Sequence, residues 1–454
     1  MKVADRHALL KQRLASAGLE SAATAPTLPR RREPGRAGLS FAQSHAWRYQ
    51  LAHPKSVSNN LGLMLTFTGA VKEEELAKAF ARIVARHEIF RTTYHQDADG
   101  TAYQTIHPSL DFPCRIATGT LEEAKAEAEA DLARPFDLSK DCPLRLHIVR
   151  IAADQVVLTM IFQHILWDGA TFPLLSRELE AAYGGQPLTE PALQYADFAE
   201  WEQSRLAEIE SRELAYWKNR LAAPLPQRTL LAGRSLDRGL TEKAGRLDHR
   251  LASSQALMAL AARHRVTPFI AFMACWARVL GAEQQDEVTI GTTVLTRDAP
   301  GTDGLIGNFA NHIVLRLPSG RESSSGQAIA ATSAEFDNGF SHRHLPYERL
   351  ADLLTGQDPA EATKLFDSLV VFIPSGTEGP SLPGCSTRWQ RLHNGATQFP
   401  LVPLGLEIFV RGRGENATLD VEATYAHDLF RQEEVTGLLA RLDATIHDAF
   451  REVW

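Results

Sequence analysis

A mixed α/β chain in two lobes of similar size is the fold class the sequence predicts, and three observations predict it. The 454 residues exceed what one hydrophobic core usually serves. Hydrophobic residues make up 44% and charged residues 23%, an ordinary globular balance. Strand-like runs and helix-like spacing alternate in both halves, without a sequence repeat.

In chain order, residues 3–17 have helical spacing at Leu9, Leu10 and Leu14. Residues 18–38 carry Pro26, Pro29, Pro34 and Gly35 among basic residues and read as a linker. Residues 1–37 are therefore expected to be an N-terminal helix and linker, 38–185 the first lobe and 186–454 the second. Residues 61–67 read as a strand. Residues 71–89 follow with Leu76, Phe80, Ile83 and Val84 on one helical face. Residues 144–149 and 156–162 read as two further strands. The second of these is apolar on both faces, as a strand inside a sheet must be. Pro173 suits a first helical position, and helical spacing continues over 174–183 until Gly184-Gly185-Gln186-Pro187 breaks it. In the second half, 253–280 read mostly as helix, and 288–294, 311–317, 369–373, 404–409 and 419–425 as strands. Residues 433–450 form a closing amphipathic helix.

A net charge of -7 argues against nucleic acid as the main partner. The N-terminus has no signal-peptide core, and the most apolar run, 268–276, is too short to span a bilayer. No membrane partner and a cytoplasmic location are expected. Cys114, Cys142, Cys275 and Cys385 stand far apart and form no CxxC, so buried free thiols are expected, with no zinc knuckle or redox dithiol.

Walker, GxSxG and dinucleotide signatures are absent. His87-Glu88 opens like a zinc-protease helix, but Arg91 stands where the second histidine ligand belongs. That pair reads as structural surface at a helix end, and no metal is expected. What remains is Gln163-His164-Ile165-Leu166-Trp167-Asp168-Gly169, closing the buried strand. An imidazole held there can work near neutral pH. Gly169 lets the backbone turn sharply and approach a ligand. The helix start behind it can present N–H groups to a developing negative charge. Asp168 must be paired, because burial of a lone carboxylate is prohibitive. The plain alternative for His164 is a satisfied core histidine, and for Gly169 an ordinary turn glycine.

Six segments stand out in order over roughly residues 38–450: Ser40-Phe41-Ala42-Gln43-Ser44-His45-Ala46-Trp47, Arg86-His87-Glu88-Ile89-Phe90-Arg91-Thr92, Gln163 to Gly169, Tyr195-Ala196-Asp197-Phe198-Ala199-Glu200-Trp201, Ile306-Gly307-Asn308-Phe309-Ala310-Asn311 and His344-Leu345-Pro346-Tyr347-Glu348. Together they resemble the motifs of nonribosomal peptide synthetase condensation domains. The first resembles SxAQxRxW and the second RHExLRT, and the third stands where the family writes HHxxxDG. The fourth matches YxDFAxW, the fifth matches IGxFxN, and the sixth resembles the last motif.

The resemblance implies two chloramphenicol-acetyltransferase-like lobes in a V-shaped pseudo-dimer. A central tunnel would admit phosphopantetheine arms from both faces. It implies condensation of a thioester borne by an acyl or peptidyl carrier protein with an amine or alcohol. The acceptor is either a small molecule or borne by a second carrier, and no cofactor is tightly bound. His164 carries over as the residue that takes or orients the acceptor's proton, with Gly169 N–H as an oxyanion donor. Asp168 carries over as a structural partner of Arg297, from Ile290-Gly291-Thr292-Thr293-Val294-Leu295-Thr296-Arg297. Asn311 is a substrate-tunnel candidate.

The chain departs from the family at Gln163, which replaces the first motif histidine and is expected to support the loop. Trp167 stands where a small residue is usual, and either narrows a tunnel mouth, stacks on an acceptor or packs into the lobe wall. His45, Thr296 and Pro400 replace an arginine, a glycine and an aspartate. A catalytically degenerate docking module that recruits carriers or tailoring enzymes is the alternative reading. An epimerase-type relative and an acyl-CoA-dependent HxxxD transferase are further ones. The sequence carries no adenylation or carrier segment, so the domain is expected to be freestanding or excised. Residues 1–20 are expected to be either a docking helix or a linker helix.

Overall fold

Seven consecutive apolar or β-branched residues, Val156 to Phe162, are all buried, and this is why the strand Gln155–Gln163 sits inside its sheet. A computed structural model describes residues 28–222, 230, 243–281, 286–320, 323–355, 365–373, 379–393, 402–412, 417–452 and 454. The expected helix over 3–17 and Pro400 lie outside the described residues. The sheet around Gln155–Gln163 has five strands, in the order Cys385–Leu392, Asn60–Gly69, Gln155–Gln163, Leu144–Ala152, Cys114–Thr118. Helix Glu73–Arg86 turns Leu76, Ala79, Phe80, Ile83 and Val84 into the same core.

The second sheet has six strands, in the order Ala310–Pro318, Glu287–Leu295, Ser368–Ile373, Leu404–Arg411, Thr418–Ala426, Ala244–Arg250. Alternation decides its faces. Leu404, Leu406, Ile408, Leu419, Val421 and Ala423 join a core with helices Ser254–Arg263, Pro268–Gly281 and Gln432–Phe450. Glu407 and Glu422, paired in register and half-buried, lie on the opposite face. There Glu407 meets Arg391 of the first sheet.

Chain order and sheet membership differ at one place. The strand Cys385–Leu392 comes from the region expected to be second lobe, yet pairs antiparallel with Asn60–Gly69 from end to end. Tyr195, Phe198, Leu305, Ile306 and Phe309 also pack into the first core. The expected linker is likewise tied down. Arg36–Gly38 is a strand paired with Ala102–Ile106, and Arg31 bonds Glu88 and Asp197 at 2.7 and 2.9 Å.

Two local readings are corrected. His87 is buried, not surface: Glu178 from helix Thr171–Tyr183 reaches its Nε2 at 2.7 Å and also pairs with Arg86. That helix starts at Thr171, two residues before Pro173, because the Asp168 carboxylate accepts the N–H groups of Ala170 and Thr171 and so caps the earlier turn. All four cysteines are free; Cys142 and Cys275 are buried, while Cys114 and Cys385 are half-buried.

Candidate active site

The strand Gln155–Gln163 runs directly into a single tight turn, His164–Leu166. Gln163 is fully buried, and its Oε1 accepts the Ile165 N–H at 2.5 Å, which shapes the turn. Its Nε2 has no partner among the described residues. An uncharged amide thus performs this loop-shaping without titrating.

His164 is held on both sides of its backbone. Its N–H donates to the Asn59 carbonyl at 2.7 Å, and its carbonyl accepts the Trp167 N–H at 3.2 Å. The residue as a whole is half-buried. Its hydrogen-bonding side-chain neighbour among the described residues is Asn308, whose Nδ2 lies 3.3 Å from Nδ1. Burial pushes the imidazole below the ordinary histidine value, while its own carbonyl, Glu407 and Asp168 pull the other way.

Asp168 meets Arg297 from the other half of the chain through two bonds, Nε to Oδ2 at 2.9 Å and a terminal nitrogen to Oδ1 at 3.0 Å. The carboxylate also accepts N–H groups from Ala170, Thr171 and Phe309. Arg297 donates further to the carbonyls of Thr302, Leu305 and Gly307, and stacks over the Phe309 ring at 3.9 Å. This buried pair therefore has its hydrogen-bonding capacity filled, the condition under which burial of charge is tolerated.

The remaining predicted residues divide. Trp167 packs into the wall, stacked on Phe162 at 4.1 Å and tilted against Phe172, which in turn meets Trp389. Asn311 does not offer its amide to a cavity. Its Nδ2 donates to the carbonyls of Arg343 and Leu345, both at 2.8 Å, and its Oδ1 accepts the Tyr347 N–H at 3.0 Å. Gly169 is exposed, takes no left-handed φ, and has open space where a Cβ would sit, so no sharp turn requires glycine there. Within residues 168–171, the N–H of Gly169 is the one without an acceptor among the described residues.

Polar side chains, most of them not singled out in the sequence reading, lie near His164. Arg391 and Glu407 lie within electrostatic reach on one side, with Glu422 beside them. On another side stands His312, which burial pushes down to about 4, helped by His45 and His164 and opposed by Glu348. His45 pairs with Glu348 at 2.9 Å across the two halves. Glu348 borders a cleft of about 490 Å³ lined also by Trp47, Leu51, Pro346 and Arg349, so the cleft opens at Glu348 and not at His164 itself. Asn308, His45 and Glu348 lie inside quoted motifs; Arg391, Glu407, Glu422 and His312 become neighbours only through long-range folding.

Among the described residues, no helix is long and apolar enough to cross a membrane. Nor, among the described residues, does a group of three or more His, Cys, Asp or Glu stand ready to hold a metal ion.

Comparison with known proteins agrees with this architecture. A family model described as condensation domain matches residues 34–453. Chondramide synthase cmdD of Chondromyces crocatus is 28% identical over 433 residues, covering 89% of this chain and 10% of that protein. Surfactin synthase subunit 1 of Bacillus subtilis is 26% identical over 417 residues, covering 90% of this chain and 11% of that protein. The chain thus spans about a tenth of the length of these curated relatives. The solved complex of the X-domain and OxyB from teicoplanin biosynthesis superposes with a TM-score of 0.80 at 23% identity, covering 95% of this chain and 97% of that one. The fold is that of two chloramphenicol-acetyltransferase-like lobes. The chain belongs to the condensation-domain family of nonribosomal peptide synthetases.

Proposed function

We propose that the chain joins an acyl or peptidyl thioester, borne on the phosphopantetheine arm of a carrier protein, to an amine or hydroxyl acceptor. The acceptor's nitrogen or oxygen bonds to the carbonyl carbon, the C–S bond breaks, and the acceptor's proton leaves with the thiol. The carrying observation is the half-buried His164 at the end of a first-sheet strand, with Asn308 of the other half at hydrogen-bonding distance from its ring and the Asp168–Arg297 pair joining the same loop to that half. Because a thioester is already activated, positioning supplies much of the acceleration. His164 is the group placed to orient the attacker or take its proton. The unpaired N–H of Gly169 is the donor for the carbonyl oxygen as charge develops. Cytoplasmic carriers are the partners.

The test is intact-protein mass spectrometry of acyl-carrier thioesters incubated with amines and with alcohols. It reports unloading and product mass together. His164→Ala is expected to lower turnover by roughly 10²–10⁴-fold with an unchanged thermal transition. Near-normal turnover refutes the reading.

A second reading, a docking module that makes no bonds, draws on Gln163, which replaces a titratable family residue and leaves its Nε2 without a partner among the described residues. The X-domain related in fold is itself known in complex with OxyB. Such a module would bind partners equally well with and without His164.

A further inference from the structure

We infer that the substrate group lying on the Arg391 side of His164 is polar, an aminoacyl or peptidyl chain and not an alkyl one, and that Arg391 and Glu407 select it. The inference rests on the acyl-transfer reading and narrows it to a substrate class.

A continuous surface leads from the His164 turn to this pair. Trp167 tilts against Phe172 with ring centres 6.4 Å apart, and Phe172 meets Trp389 at 5.0 Å. Trp389 and Arg391 stand two residues apart on the strand Cys385–Leu392, so alternation puts both on one face. Arg391 then meets Glu407, which comes from the second sheet, and lies 3.8 Å from Glu422. Arg246 reaches Glu422 at 3.4 Å, and His393 lies 3.8 Å from the same carboxylate. The imidazole of the turn feels this cluster: Glu407 raises the proton affinity of His164 and Arg391 lowers it. His312, Glu348 and His45 form a second group that also acts with His164. His164 is thus common to both clusters.

A strut that merely fastened two sheets together would bury its charges. Asp168 and Arg297 do so, with side chains 0% and 9% exposed. Arg391, Glu407, Glu422, Arg246 and His393 instead keep 18% to 35% of their side-chain surface open. His393 is pushed down to about 4 by burial, with Arg246 and Arg391 adding to the effect and Glu407 opposing it, so near neutral pH it offers hydrogen bonds without charge.

An alkyl chain laid along this surface would strip water from the charged groups and return no hydrogen bond. A peptide or aminoacyl chain replaces that water. Its N–H groups or ammonium donate to Glu407 and Glu422, and its carbonyls accept from Arg391 and Arg246. The rings of Trp389 and Phe172 beside the pair cover the apolar parts of such a chain.

The test compares the full chain with the double variant Arg391→Met/Glu407→Leu. It removes both charges at similar volume and leaves Glu422 its contact with Arg246; such an exchange is often neutral for stability. Binding is read by calorimetry with two pantetheine probes in which an amide replaces the thioester, one bearing glycylglycine and one octanoate. Wild type is expected to bind the glycylglycyl probe at least about tenfold more tightly, and the double variant to lose or reverse that ratio. If the double variant does not fold, Glu407→Leu alone, which leaves Arg391 near Glu422, is expected to reduce the same ratio. Octanoyl bound as tightly as glycylglycyl by wild type overturns the substrate class. A ratio that the variant leaves unchanged, absence of binding included, overturns the role of Arg391 and Glu407. Transfer assays then vary the carrier-borne acyl group between the same two chains, and the acceptor between glycine amide and butylamine. The series whose product ratio shifts in the variant tells whether acyl group or acceptor lies at Arg391, and a shift in neither overturns the selection. No transfer with any pair overturns the acyl-transfer reading, while the binding ratios still decide the substrate class.

Discussion

Asp168 and Arg297 meet across the two halves in nearly complete burial, whereas His45 and Glu348 meet across the same halves at the rim of an open cleft. The first pair is bidentate and surrounded by backbone donors and acceptors. The second joins a titratable imidazole to a carboxylate, with side chains 33% and 11% exposed. Two contacts of similar length thus serve differently. One ties the loop after His164 to the other half through a bidentate pair; the other is a contact whose strength depends on protons.

The largest expected effect comes from breaking the buried pair. Asp168→Ala and Arg297→Ala should each destabilise the fold by about 3–5 kcal/mol, because either leaves a buried charge without its partner. Matching falls in melting temperature check this; a variant that melts normally contradicts it. Arg297→Lys should fall between these and wild type, since a single ammonium cannot reproduce the two-pronged geometry.

The cleft pair should show itself as a pH dependence. Burial pulls His45 down, but Glu348 carries it above the ordinary value of 6.5, with Arg48 opposing. Burial works to raise Glu348, yet His45 and His312 bring it from 4.5 to about 2. A raised histidine stabilises fully below its unfolded value and loses that contribution as pH rises through its folded one. A depressed carboxylate stabilises above its unfolded value and loses that contribution as pH falls through its folded one. The pair is therefore strongest between 4.5 and 6.5. His45→Arg should remove the alkaline loss, raising the melting temperature above pH 7 by roughly 2–4 °C and changing little at pH 5. An equal change at both pH values would contradict the assignment. Gly169→Ala marks the small end: with open space around its Cβ, it should alter stability by no more than about 0.5 kcal/mol.

Much of this comparison was legible in the sequence, and the reasons are local. An Asp placed at the end of a buried apolar run must find a cation, and the resemblance pointed to Arg297. Eight strands of the five- and six-stranded sheets announced themselves by alternation or by unbroken apolar runs, but Cys114–Thr118, Ala244–Arg250 and Cys385–Leu392 were not read as strands. What stayed hidden depends on contacts between distant segments. His45 was visible as a departure from arginine, but its partner, some 300 residues away, was not. Asn308 stood in a quoted motif, yet the direction of its amide is set by Ala310 and by the turn it meets. Cys385–Leu392 alternates as a strand should, but nothing in its residues says which sheet it joins. Trp167 could be read two ways until Phe162, five positions earlier, was seen beneath it.

That borrowed strand has a consequence for anyone who would cut the domain in two. Separating the halves near residue 185 would strip Asn60–Gly69 of its outer neighbour along its length, leaving a row of bare backbone donors and acceptors of the kind that seeds aggregation. The first half produced alone should be sticky and poorly folded, and chimeras that swap only one half inherit a foreign edge. Designers should exchange the piece 379–393 together with the N-terminal half.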